Sequence, residues 1–180
     1  MGAENSSPVV RYRKELLKLS WRVVLTIQDG AEKVSQNPSV VSLDGKRQTD
    51  NMSIHSEHGS LNPFHEDFGT QFFKYCPDLK NKFPTDYSLV SKMITTFISN
   101  AIDAKDIGPL ARRFGRTHVK HDLSKEHFEG FSQALVDTLQ HRLGKFGTIE
   151  LVKIWREVTS KIVKAMEKEY VSNRNSKSRK

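Results

Sequence analysis

The sequence predicts an all-α domain, on three observations. Apolar residues recur at spacings of three and four along most of its 180 residues, no stretch alternates with the period of two that a half-buried strand needs, and turn-forming Pro63, Pro77, Pro84, Gly144 and Gly147 punctuate the periodic runs. A chain of this length suffices for one substantial core, and no internal repeat divides it. The expected organisation is a short disordered N-terminus over residues 1–8, one domain over 9–171 and a basic disordered tail over 172–180.

Each element follows from its own pattern. From about Val9 to Gln28, Tyr12, Leu16, Leu19, Val23 and Ile27 make one row and Leu17, Trp21 and Val24 an adjoining one, so a broad buried face is expected of the first helix. Over residues 29–62 the periodicity gives way to Gly, Ser, Asn, Asp and His, the composition of a long loop between the first and second helices. Pro63 suits a helix start, Phe64, Phe68 and Phe72 repeat every four residues, and Pro77 forces a break after Cys76. Beyond Pro84, Thr85 or Asp86 can cap a helix with an inner row of Leu89, Met93, Phe97 and either Asn100 or Ala101. The stretch Asp106 to His118 carries the stripe Ile107, Leu110, Ala111, Phe114 and His118. Ser124 with Glu126 and His127 opens a helix bearing Phe128, Phe131, Leu135, Leu139 and Leu143, which Gly144 and Gly147 close. The last helix, about Thr148 to Val171, buries Leu151, Trp155, Val158, Ile162 and Met166.

Composition narrows the function. Mean hydropathy is −0.57, and no apolar run approaches the ~20 residues that span a bilayer. Cys76 is the single cysteine, so an internal disulfide and a cysteine-based zinc cluster are excluded, and without a basic neighbour at close spacing its thiol is expected to be inert. The formal net charge is +8, placed by this reading largely at the two ends. The start Met1-Gly2-Ala3-Glu4-Asn5-Ser6 fits N-myristoylation of Gly2. One such chain binds membranes only marginally, with an association constant of about 10⁴ M⁻¹. Arg11, Arg13, Lys14, Lys18 and Arg22 would supply the second contribution, against the one acid Glu15. The expectation is a protein at the cytoplasmic face of an anionic membrane; the alternatives are an ordinary disordered terminus that happens to start with glycine and, for Arg174, Lys177, Arg179 and Lys180 after Val171, a solvated tail that aids solubility. No nucleic-acid reader motif is present, and no aromatics are interleaved with the basic residues. Nucleophile and base do not recur at a recognisable spacing, and Ser20, Ser91 and Ser160 stand singly, so no dedicated enzyme activity is expected.

His118 closes an apolar stripe, which turns its imidazole inward where a basic ring needs a partner. Around it, in order, stand Trp21, the segment Phe73 to Phe83 around Pro77, the segment Phe114-Gly115-Arg116-Thr117-His118, and Trp155. This succession resembles the globin family, over roughly Leu16 to Tyr170. The run Arg116 to Lys120 followed by Leu123 and Phe128 is most similar to the neuroglobin-like and invertebrate branches. The resemblance implies a three-over-three helical sandwich holding haem b, with His118 as iron ligand through a neutral ring nitrogen and its other nitrogen donating to a carbonyl. A core histidine satisfied by a backbone group is the alternative. It further implies that Phe83 wedges against the porphyrin and that Phe114, Leu123 and Phe128 line the site, where ordinary core packing would leave the same rings buried.

On the opposite side of the haem, the resemblance puts Leu89 where histidine or glutamine is usual, with Lys92 and Met93 after it. Lys92 would reach a propionate or serve as a sixth ligand; Met93 would ligate or pack; His65 and His121 are outlying candidates. A gas ligand (O2, CO or NO) then meets no strong donor at Leu89, and the iron should oxidise readily. Redox relay or gas sensing at a membrane with a redox partner is therefore the expected function. Reversible oxygen transport or storage, and a globin-shaped interaction module without haem, are the alternatives.

Overall fold

The computed structural model describes residues 8–34, 62–83 and 87–177, and the side chains of α1 as far as Thr26. Six α-helices follow in order: α1 (Pro8–Val34), α2 (Phe64–Tyr75), α3 (Tyr87–Asp103), α4 (Gly108–His118), α5 (Lys125–Leu143) and α6 (Ile149–Lys177). Short 3-10 turns, Pro77–Lys82 and Gly144–Phe146, follow α2 and α5. Among the described residues no strand occurs, as the absence of period-two alternation requires. The helices α1, α3 and α4 lie over α2, α5 and α6 in the three-over-three sandwich, with α4 on α6, α2 on α5, and α5 beside α6 as the main seams.

Two helices outrun their expected limits. Residues 29–34, read as the start of the loop, continue α1, and residues 172–177, read as a disordered tail, continue α6. At the second of these, Asn173 donates back to the Glu169 carbonyl at 2.6 Å, and Arg174 reaches the Tyr170 hydroxyl at 3.0 Å and Asp122 at 2.6 Å. Polar side chains thus hold the last turns where apolar periodicity has faded. Residues 35–61 of the expected loop, Thr85 and Asp86, and both extreme ends with Gly2 lie outside the described residues.

The expected double burial of α1 is corrected. Leu17, Trp21 and Val24 are in the core, but Tyr12, Leu19 and Val23 are exposed at 66%, 55% and 41%, and Leu16 is half-buried. A helix can turn only one side to the layer beneath it, and the row with the tryptophan takes that side. Ser20 joins the buried row because its hydroxyl accepts from Trp155 Nε1 at 2.9 Å and donates to the Leu17 carbonyl at 3.0 Å. Trp21 Nε1 donates to Ser99 Oγ at 2.9 Å, which fastens α1 to α3. Both indoles therefore bury their rings without stranding a donor. Trp21 meets Phe64 edge-on at 5.6 Å and Trp155 at 5.9 Å, and the α2 row Phe64, Phe68 and Phe72 extends this aromatic core.

Two glycines set helix separations. A Cβ on Gly115 would lie 2.7 Å from the Glu169 carbonyl, so α4 rests on the backbone of α6. A Cβ on Gly130 would overlap Cys76 Sγ, so α5 meets the end of α2 equally closely. The start of α5 is where Ser124 places it: its N–H donates to His127 Nδ1 at 2.9 Å, and His127 Nε2 lies 3.0 Å from Asp78. Deep in the fold, Arg142 Nη1 donates to Asp67 at 2.5 Å and to the Asn62 carbonyl at 2.7 Å, while Nε reaches the Val24 carbonyl at 3.3 Å.

Candidate metal centre

His118 ends α4, half-buried, with its ring stacked on Phe114 at a centroid distance of 3.9 Å. Its Nδ1 lies 3.1 Å from the Phe114 carbonyl and 2.9 Å from Thr117 Oγ1. A carbonyl only accepts, so Nδ1 carries the proton and donates to it, and in the neutral ring the lone pair resides on Nε2. Burial pushes the imidazole pKa below its ordinary 6.5, partly opposed by the bond to the Phe114 carbonyl. A neutral imidazole of fixed tautomer with one nitrogen tethered to a carbonyl is what a metal-ligating histidine requires.

The turn after His118 is held from α6. The buried Tyr170 hydroxyl donates to the His121 carbonyl at 2.7 Å and accepts from the Leu123 N–H at 3.0 Å. With Gly115 seated on α6, this fixes α4 at both its middle and its end. Phe114 also meets Phe128 edge-on at 5.9 Å, and both belong, with Leu123, to an apolar cluster built on Ile162, Val163, Met166 and Tyr170. The structure thus brings together His118, Phe114, Leu123 and Phe128. Sequence reasoning assigned no role to Thr117 and Tyr170; the hydroxyl preceding the histidine, and the continuation of the Ile162, Met166 row by one turn, were the available signals.

Residues expected on the far side are arranged differently. Phe83 packs against Phe72 at 5.5 Å and Phe73 at 5.6 Å, and with Val90 and Ile94 lines a small pocket between α2 and α3. The buried side of α3 is centred on Ile98 and Ile102. The expected inner row is therefore split: Phe97 and Ala101 lean on the same cluster as Phe114 and Phe128, whereas Leu89 and Met93 are 61% and 58% exposed. Leu89 and Met93 are thus left without protein cover in the first turns of α3. Lys92 is exposed, as is His121, whereas His65 is half-buried beside the small pocket. The rings of His121 and His118 are 6.0 Å apart. Cys76 is buried, and burial pushes its thiol up to about 11, with the Asp78 charge adding to the shift.

Among the described residues no three His, Cys, Asp or Glu side chains gather as a protein-built metal cage needs. An iron at His118 would have to bring most of its donors with it, which a porphyrin does. The donor chemistry of the residues present suits that group. One imidazole offers Nε2, aromatic and aliphatic side chains flank it, and an apolar pair on the neighbouring helix is left without protein cover.

The globin family model matches residues 66–166, from the first turn of α2 to the middle of α6. The chain belongs to the globin family. That match spans more than half of the sequence and includes the segments from Phe73 to Phe83 and from Phe114 to His118 that carried the resemblance. No curated protein matches the chain significantly. As a globin it is a haem-binding protein of the class that takes diatomic gases such as O2. Among the described residues no helix is long and apolar enough to cross a membrane.

Proposed function

We propose that this globin holds haem b through His118 Nε2 and works as a redox relay or gas sensor rather than as an oxygen store. The observation that carries the proposal is the tether of Nδ1 to the Phe114 carbonyl, which leaves Nε2 as the one basic nitrogen of the ring. Phe114, Leu123 and Phe128 flank the bound group on the His118 side, and Leu89 and Met93, the uncovered pair of α3, cover it on the other. When bound, the haem supplies a one-electron couple and a place for O2, CO or NO. The chain's own contribution is to keep the imidazole neutral and oriented and to keep water off its proximal side.

The apolar pair Leu89 and Met93 favours redox work over storage. Neither offers an N–H or O–H to a gas ligand, and Lys92 beside them is exposed and charged. The reconstituted protein is expected to oxidise in air within minutes, followed by its visible spectrum. A ferrous gas-bound form persisting for many hours would favour oxygen carriage instead.

Membrane attachment rests on the exposed row of α1. Val9, Tyr12, Leu19 and Val23 present apolar surface immediately after the acylation-type start at Gly2, which suits a helix lying along a bilayer beside an inserted acyl chain. Its electrostatic share is smaller than the charge count implies. Arg13 pairs with Glu157, Lys18 bonds Asp103 at 2.7 Å, and Lys14 donates to the Asp103 carbonyl at 2.9 Å. Gly2→Ala is expected to move the protein from the membrane to the supernatant fraction on sedimentation; retention in the pellet would refute the acyl anchor.

A further inference from the structure

Two sets of cations, on α1 and around α4, differ in how they are engaged. Those of α1 are largely committed to carboxylates and carbonyls of α3 and α6, as described above. On the outer side of α4, Arg112, Arg113 and Arg116 are exposed, as is Lys120 in the turn just beyond it, and among the described residues none of the four lies within ion-pair distance of a carboxylate. The nearest acid in sequence, Asp106, is engaged at the helix start, where Oδ1 accepts the Gly108 N–H at 2.8 Å. The reading that placed the charge mainly at the ends therefore missed a concentration in the middle of the chain.

The arrangement is costly in isolation. Arg112 and Arg116 stand one turn apart on α4, where like-charge neighbours oppose the helix, and Lys120 adds a third positive charge two residues past its end. The opposite side of α4 is fixed by packing, with Ala111 and Gly115 buried against α6 and Phe114 and His118 turned toward the apolar cluster. The basic row is thus held rigidly outward, and its repulsion is relieved when a surface of opposite charge docks on it.

We propose that the outer face of α4 is a docking site for an acidic patch of a partner protein. Long guanidinium side chains suit carboxylates through paired hydrogen bonds, and a helix is only about 10–12 Å across with its side chains. A partner seated there lies one helix diameter from His118. The proposal goes beyond haem binding and does not depend on it.

The test uses the full-length chain and fluorescently labelled poly-L-glutamate, read by anisotropy at low ionic strength. The triple variant Arg112→Gln, Arg116→Gln, Lys120→Gln is compared with Lys153→Gln, Arg156→Gln, Lys164→Gln, which removes the same charge from exposed positions of α6. The α4 variant is expected to bind about ten-fold more weakly, with the loss fading as salt rises, and the α6 variant to change by less than about two-fold. Equal losses would mean that net charge alone matters, and absence of wild-type binding would mean that no docking face exists; either overturns the proposal. Phosphatidylserine vesicles provide the third arm. Tighter wild-type binding to them than to poly-glutamate, lost in the α4 variant, would assign the face to lipid and overturn it too. Thermal melts keep the comparison sound, since removing like charges should leave the α4 variant melting no lower than wild type.

Discussion

At the scale of single residues, the account turns on where one proton sits. The Phe114 carbonyl and Thr117 hydroxyl both face His118 Nδ1, so the ring is held by two acceptors and Nε2 is left for a metal. Thr117→Val keeps the carbonyl and removes the hydroxyl. It is expected to speed haem transfer to a haem-free acceptor globin by up to about ten-fold, the low end for groups that orient a ligand; an unchanged rate would show that Phe114 suffices. Cys76 gives a pH prediction. Its folded-state pKa of about 11 lies above the ordinary 9.0, so folding favours the protonated thiol. That contribution is complete below pH 9.0 and is lost as pH rises through about 11. Iodoacetamide at neutral pH should label Cys76 only as fast as the protein unfolds, and rapid labelling of the native state would contradict the burial. The inward turn of His118 was legible because its own apolar stripe decides it, whereas the burial of Cys76 depends on α5, where Gly130 packs against its sulfur. Thr117 was not legible, since a threonine in the last turn of a helix ordinarily bonds back to its own backbone, as this one also does.

At the scale of elements, helix order and most inner rows could be read directly. The α5 row from Phe128 to Leu143 and the α6 row from Leu151 to Met166 fall in the core because a helix buried on one side must repeat at three and four. Reading failed where two apolar rows competed. On α1 the row of Leu17, Trp21 and Val24 wins, and on α3 the inner side shifts by one residue so that Leu89 and Met93 stay uncovered. Spacing shows that both rows are apolar, but which one meets the next layer is decided by where the Trp21, Phe64 and Trp155 rings interlock. Glycines provide the test at this scale. Gly115→Ala must push α4 off the α6 backbone and is expected to lose about 1–3 kcal/mol in a urea titration. Gly69→Ala on α2 meets only the Phe73 ring at 3.7 Å and should gain about 0.5–1 kcal/mol from helix propensity. Equal effects at the two sites would mean that α4 and α6 are not in backbone contact.

At the scale of the molecule, long-range polar links hold the layers in a way that local sequence does not announce. Arg142 and Asp67 are both buried, and Arg142 Nη2 makes no hydrogen bond. Asp67→Ala would leave a buried guanidinium unpaired, at a cost of about 3–5 kcal/mol. Replacing both partners, Asp67→Leu with Arg142→Met, should recover most of that loss in the same titration; a double variant as unstable as the single one would show that the two bonds of Arg142 to the Val24 and Asn62 carbonyls, not the charge pair, matter. Nothing in either segment marks this pair, because its members are held together only once α2 has packed on α5. The globin architecture itself was legible, since it is the sum of rows and breaks, and with it came the gathering of His118, Phe114 and Phe128. The far half of the site was not, because Leu89 and Met93 find no protein partner to bury them.

The most direct test of the central claim is chemical rescue at His118. The haem-reconstituted chain should show a Soret band and a ferrous carbon-monoxide spectrum, His118→Gly should lose the histidine-ligated form, and free imidazole should restore it. A His118→Gly protein whose spectra match wild type without added imidazole would place the iron ligand elsewhere and contradict the account.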